Sequence, residues 1–225
     1  MAILSIETSS KVCSIAIHEA GELLGLQTLF TEKSSSGLLT PIIRQLLDNC
    51  NLKVSDLQAI AVSKGPGSYT GLRIEVSTAK GLCTALDLPL IAVDTLKAMA
   101  FQVSNILDKK LLICPLIDAR RMEVYCSVFT NNLECVEEVS AKIIEHNSFA
   151  ELLSNNSVVF IGDGATKCKD ILSQNTNALF LDENILPSAT TIGKLAYDQY
   201  LKNDFENLVT FEPFYLKDFI GTVPR

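Results

Sequence analysis

The sequence predicts a two-lobed α/β fold, with a first lobe at residues 1–107 and a second, smaller lobe at 108–225. Three observations carry this expectation. Apolar periodicity alternates between two and 3.6 residues in the order βββαβαβα along the first ~106 residues. The polar run Asp108-Lys109-Lys110 then interrupts it, and a fresh strand and hairpin follow. The chain has 225 residues, 48% of them hydrophobic and 20% charged, enough to bury a core of ordinary globular composition.

The elements follow in order. Residues 2–7 read as a buried strand, Val12–Ile17 as a second and Leu23–Phe30 as a third, after a turn at Glu19-Ala20-Gly21. The serines 34–36 offer N-caps for a helix that carries Leu38, Leu39, Ile42, Ile43, Leu46 and Leu47 at helical spacing, with Pro41 tolerated only in its first turn. Leu57–Ser63 is a fourth strand. A glycine-rich loop then opens a long helix from Ser68 to Leu86. Pro89–Val93 is a fifth strand, and Asp94-Thr95 caps a helix reaching Ile106. Three antiparallel strands followed by parallel strands with crossover helices make a mixed sheet. The second lobe reads as strand Leu111–Ile117, a hairpin of Glu123–Phe129 with Leu133–Val139 around Asn131-Asn132, and a helix at Ser148–Leu153. Strand Val158–Ile161, helix Ala165–Leu172, strand Leu179–Leu181 and helix Thr190–Lys202 complete it, and the apolar tail Phe214-Tyr215-Leu216 packs back. No residue-level repeat relates the two lobes.

Composition narrows the function. A net charge of −7 repels phosphate backbones at long range, which excludes tight nucleic-acid binding by the chain alone but leaves room for a local basic patch. The seven cysteines form no CxxC pair and mostly sit in apolar runs, as free thiols of a reducing compartment do. The N-terminus lacks a signal-peptide pattern, and no apolar run approaches the ~18 residues of a membrane span. The expected location is the cytoplasm, with no membrane partner.

The helix 68–86 exposes little polarity. Its polar side holds Arg73, Ser77, Lys80 and Thr84; most of the rest is apolar or small, interrupted by one acid, Glu75. One sheet requires only a ~100° apolar stripe. Gly71 and Gly81 each cost about 1 kcal/mol relative to alanine, a cost that close approach of another backbone would offset. Burial on both sides within the chain would account for one such helix, but with the paired stripes of the preceding helix the two carry more apolar surface than one chain should hide, which points to a subunit interface. On the interface reading, a charge placed at Val76 would break docking.

The motifs that suggest catalysis are incomplete. Gly65-Pro66-Gly67-Ser68-Tyr69-Thr70-Gly71 follows a strand and opens a helix, a context suited to anions, but it is one residue longer than a dinucleotide fingerprint and Pro66 removes a donor. His18 and His146 fall in different lobes, so no helix presents two imidazoles. Glu7 and Thr8 end the first strand where phosphotransferases of this strand order hold a metal-bound nucleotide. Glu7 stands without an acidic counterpart in the second lobe, and turn chemistry is the simpler reading. Gly162-Asp163-Gly164 reads as a strand-to-helix turn or a degenerate nucleotide loop. In Asp118-Ala119-Arg120-Arg121-Met122-Glu123, the acids can fix the turn while a spare guanidinium faces a partner or a phosphate.

Met1–Ser10, the segment Gly65–Ile74, Asp118-Ala119-Arg120-Arg121 with Glu123-Val124-Tyr125, and Pro213-Phe214-Tyr215-Leu216 together resemble the TsaB (YeaZ) family over nearly the whole chain. The resemblance implies an actin/Hsp70/sugar-kinase-like (ASKHA) fold with a βββαβα core and a degenerate second lobe. It implies a noncatalytic subunit that binds and activates TsaD for threonylcarbamoyl transfer to the adenosine beside the tRNA anticodon. A TsaE-like ATPase would join, the chain alone would form a homodimer through the same surface, and tRNA would be met only through the complex. ATP and metal would sit on TsaD and TsaE, none on this chain. The HxxxH metal motif of the catalytic paralogue is missing around Ser34–Leu39. The interface residues carried over are Leu38, Leu39, Ile42, Ile43, Leu46, Tyr69, Arg73, Val76, Lys80 and Cys83. An independent ATPase or kinase-like enzyme of the same fold is the alternative, with nucleotide near Glu7, Thr8, Gly162 and Gly164.

Overall fold

The computed structural model describes residues 1–30, 37–181 and 185–217. Two five-stranded mixed sheets form its backbone. Strands β1 (Ala2–Glu7), β2 (Val12–Glu19), β3 (Glu22–Phe30), β4 (Leu57–Ser63) and β5 (Leu90–Val93) make the first, in the order β3-β2-β1-β4-β5. β1 is antiparallel to β2 and parallel to β4, with Ile6 opposite Ile15 on one side and Val62 on the other. The second sheet contains β6 (Leu112–Asp118), β7 (Glu123–Phe129), β8 (Cys135–Ile143), β9 (Val158–Ile161) and β10 (Ala178–Phe180), ordered β10-β9-β6-β7-β8. Read from the other edge, this is the first sheet's order again. The expected smaller lobe therefore has as many strands as the first, and a repeat invisible at the level of residues is complete at the level of topology.

The helices confirm the repeat and exchange its ends. α1 (Leu39–Asn49), α2 (Tyr69–Leu86) and α3 (Thr95–Ser104) follow the first lobe's strands; α4 (Ala150–Asn155), α5 (Asp163–Leu172) and α6 (Ala189–Leu201) follow the second's. α3 crosses to the second sheet, where Leu96, Met99 and Val103 pack with Ile113, Ile117 and Val159. α6 returns to the first sheet, setting Ile192 and Ala196 on Ile3, Ala59, Ala61 and Ile91. Each sheet is thus closed by the other lobe's last helix, which joins the lobes through cores.

Local signals place most boundaries. Ser68 caps α2 by accepting from the Gly71 amide, and Asp94 caps α3 by accepting from the Lys97 amide. Pro41 lies in the first turn of α1, as its missing N–H requires. The serines expected to cap this helix lie outside the described residues. β8 is shifted from the expected 133–139 to Cys135–Ile143. Residues 130–134 close the hairpin through Leu133 N to Thr130 O and Thr130 N to Glu134 O, both 2.9 Å, and pairing then runs on to Glu123 opposite Ile143.

Candidate functional site

The C-terminal ends of β1 and β4 and the start of α2 meet at a buried polar cluster. Glu7 and Glu75 are both fully buried there. Glu75 Oε2 accepts from the Thr8 amide at 2.6 Å and the Thr8 hydroxyl at 3.1 Å, while its Oε1 accepts from the Ser63 hydroxyl at 2.5 Å. Glu7 Oε1 accepts from the Ser9 amide at 2.6 Å and the Ser9 hydroxyl at 2.5 Å, leaving Oε2 without a partner. Burial raises the pKa of both acids; the charge of Glu7 pushes Glu75 further up. Burial and the like charge both favour the neutral form of these acids.

This cluster closes the glycine-rich loop. Thr8 Oγ1 donates to Gly71 O at 2.8 Å, and a Cβ on Gly71 would overlap the Thr8 carbonyl oxygen. The Ser68 amide donates to Ser9 O at 2.6 Å, Gly65 N to Thr95 Oγ1 at 3.2 Å, and Gly71 N to the capping Ser68. Three of the loop's amide donors are thus bound inside the chain, and the turn at residues 8–10 packs directly on the loop, where a Cβ on Gly67 would lie 2.5 Å from Ser9 O. Glu7 and Thr8 therefore serve as internal ties. Sequence reasoning missed Glu75 as a partner, although an acid on the apolar arc of a helix was the signal.

Gly162 and Gly164 are likewise fixed by packing. Gly162 has φ +100°, and a Cβ there would press on the Leu116 backbone and lie 2.7 Å from Met99 Cε; one on Gly164 would lie 2.9 Å from Leu116 O. Asp163 Oδ1 accepts from the Asp118 amide at 2.9 Å. The expectation that Glu7 lacks an acidic counterpart is corrected: β6 ends on Asp118 where β1 ends on Glu7. Lys167 neutralises Asp118 at 2.5 Å. Among the described residues no three His, Cys, Asp or Glu side chains gather to hold a metal.

The ten interface residues divide sharply. Leu39, Ile42, Ile43, Leu46, Val76 and Cys83 are buried in one cluster with Leu4, Ile6, Ile15, Ile17, Ile60 and Val62. The inference that these side chains have more apolar surface than one chain can hide is corrected. α1 and α2 pack into one core with the first sheet, which takes up the whole buried stripe of each helix and leaves the opposite side exposed. Burial also raises the Cys83 thiol pKa to about 12. Leu38 is 38% exposed, Arg73 is exposed, and Tyr69 and Lys80 are half-buried. Tyr69 and Arg73 are engaged by the C-terminal tail, which packs back as expected: Tyr69 and Tyr215 rings are 4.7 Å apart, Arg73 lies 4.3 Å over Tyr69, and its Nε donates to Tyr215 Oη at 3.4 Å. The remaining outer face of α2 is small and polar, with Ser77, Gly81, Thr84 and Ala85 exposed. Gly71 is explained by the Thr8 backbone, but nothing stands within 4 Å of a Cβ on Gly81.

A model of the family "TsaD: tRNA N6-adenosine threonylcarbamoyltransferase" matches residues 25–221. A Haemophilus influenzae protein named tRNA threonylcarbamoyladenosine biosynthesis protein TsaB is 28% identical over 97% of this chain and 94% of its own length. The protein of that name from Buchnera aphidicola subsp. Acyrthosiphon pisum is 31% identical over 68% of this chain and 69% of its own. The chain belongs to the TsaB (YeaZ) family. The solved structure of YeaZ from Pseudomonas aeruginosa superposes with a TM-score of 0.82 at 26% identity, covering 96% of this chain and 99% of that one. With its twice-repeated mixed sheet, the architecture is the actin/Hsp70/sugar-kinase-like fold expected of TsaB proteins. No helix among the described residues is long and apolar enough to cross a membrane.

Proposed function

We propose that this chain serves tRNA threonylcarbamoyladenosine biosynthesis as a noncatalytic subunit that docks and activates a TsaD-like paralogue. Family membership supports the pathway, and the closed Thr8–Gly71 contact supports the lack of a nucleotide-driven reaction on this chain. The observation that carries the docking surface is Gly81. It sits mid-helix on an exposed face, where glycine costs about 1 kcal/mol and nothing inside the chain requires it. A flat face of Ser77, Gly81, Thr84 and Ala85 lets a partner helix come close. The half-buried Ile74, Lys80 and Leu82 flank it on α2, Leu38 is exposed at the start of α1, and Tyr69 and Arg73 are presented together with Tyr215. In this reading a homodimer uses the same face when the paralogue is absent, a TsaE-like ATPase joins the pair, ATP and metal belong to those partners, and the assembly works in the cytoplasm.

The test is co-purification with the TsaD-like paralogue. Val76→Arg is unsuitable, because Val76 is 5% exposed and the charge would unfold the chain itself. Gly81→Arg leaves the core untouched and should abolish capture while the circular dichroism spectrum stays unchanged. Capture at wild-type strength would remove α2 from the interface, and equal tRNA modification by the paralogue alone would remove the activating role. The competing reading, an independent ATPase, requires tight Mg-ATP binding by the pure chain in calorimetry.

A further inference from the structure

We propose that the Arg120-Arg121 turn is a phosphate-docking prong by which this chain touches the RNA backbone inside its assembly; this rests on the reading that the chain serves a tRNA-modifying complex. The backbone comes first. Arg120 and Arg121 have φ +67° and +51°, two consecutive left-handed residues in the β6–β7 hairpin. Turns needing positive φ twice are normally met by Asn and Gly, because a Cβ crowds the following carbonyl. Strain of this kind persists where surrounding structure enforces it, and it concentrates at functional loops.

Here the enforcement comes from α5. Lys167 Nζ donates to Asp118 Oδ1 at 2.5 Å, Arg121 O at 2.7 Å and Glu123 O at 2.7 Å. Asp118 Oδ1 also accepts from the Arg120 amide at 2.7 Å, and the Asp118 amide is held by Asp163. The charges at the turn are thereby sorted. Lys167 neutralises Asp118 and Lys217 neutralises Glu123. Arg120 and Arg121 are exposed and form no ion pair among the described residues. Among the described residues, then, this turn offers two exposed guanidiniums without an ion-pair partner, beside the half-buried Asp163, on a chain whose net charge is −7.

A protein partner would want a broad apolar centre with a polar rim, and the turn offers only Met122, with Ile143 across the strand pair at its base, between charged side chains. A sugar-phosphate strand asks only for well-placed cations, and guanidinium forks meet phosphate oxygens two at a time. The acidic remainder of the surface restricts such contact to the moment when the assembly delivers the RNA.

The experiment compares wild type, Arg120→Ala/Arg121→Ala and Arg120→Gly/Arg121→Gly, each first assembled with the TsaD-like paralogue. Binding of an unmodified tRNA transcript is then followed by fluorescence anisotropy across a salt series. Both double variants should assemble normally and bind tRNA about tenfold more weakly, with the slope of log affinity on log salt shallower by about two, one per lost phosphate contact. The glycine pair should also raise the urea midpoint of the isolated chain, since glycine accepts positive φ freely. Unchanged affinity and slope overturn the prong. Weaker assembly without RNA present overturns it in favour of a protein contact. A wild-type chain that fails to join the paralogue overturns the assembly reading itself, and the prong with it.

Discussion

Gly71→Ala and Gly81→Ala make the same change on one helix, and the packing around α2 gives them opposite signs. At Gly81 a methyl group meets nothing within 4 Å, so the substitution gains the helix propensity of alanine, about 1 kcal/mol. At Gly71 the added carbon would overlap the Thr8 carbonyl oxygen and lie 2.9 Å from its carbonyl carbon. Those are backbone atoms, tied to α2 by Thr8 N to Glu75 and Thr8 Oγ1 to Gly71 O, so they cannot swing aside. Overpacking of this kind costs about 3 kcal/mol, which outweighs the propensity gain and leaves a loss of about 2 kcal/mol. The two variants should differ by about 3 kcal/mol, or about 1 M in urea midpoint for a denaturant slope of about 2.5 kcal/mol/M. Urea unfolding followed by circular dichroism measures this, at a protein concentration where sedimentation shows a monomer. A Gly71→Ala midpoint at or above wild type would refute the close approach of β1's turn to α2. A Gly81→Ala midpoint below wild type would show that something within the chain already covers that face, which removes the reason given for docking there.

Glu75→Gln should flatten the pH dependence of stability. The folded pKa values of Glu7 and Glu75 lie above their ordinary 4.5, so the folded chain keeps protons that the unfolded chain releases near that pH. Stability from this pair is therefore full at low pH and falls as pH rises through the folded values. The amide keeps the bond from Thr8 N and removes the repulsion, so the variant should match or exceed wild type at neutral pH; a larger pH slope in thermal melts would contradict the pairing. Phe160→Ala should cost about 3–5 kcal/mol, because Phe160 is 1% exposed and lies 5.2 Å from Phe149 and 5.5 Å from Phe180; calorimetry decides it. Native alkylation at mildly alkaline pH should label exposed Cys135 and half-buried Cys50 while sparing Cys83 and Cys168, whose thiol pKa values are raised to about 12 and about 11. Peptide mass mapping that finds Cys83 labelled first would place it at the surface.

Much of the candidate site was legible in pieces. The loop at residues 65–71 was found from its glycines, the long helix was started at Ser68, and Asp94 was named as a cap from residue type and position, because such a bond spans three residues. The turn at Asp118–Glu123 and the returning tail were also visible. Hidden was the pairing of Glu7 with Glu75. The two are far apart in sequence, and nothing in either local segment reports the other. The six core residues misassigned to an interface failed for a related reason. A helical wheel gives the width of an apolar arc without saying how many neighbours cover it, and here α1, α2 and the first sheet share one core.

The sequence by itself determined the order and kind of the strands and helices and most of their positions, that two strand-led halves follow one another, and that the chain resembles TsaB proteins. These depend on periodicity, on caps and turns, and on short segments that can be compared one by one. Only the tertiary structure decided that the second sheet repeats the first, that α3 and α6 exchange lobes, that the phosphate-like loop is shut by Thr8, and that two arginines share a strained turn held by Lys167. Each of those depends on contacts between residues tens of positions apart, whose energies arise from shape and burial once the chain has closed on itself.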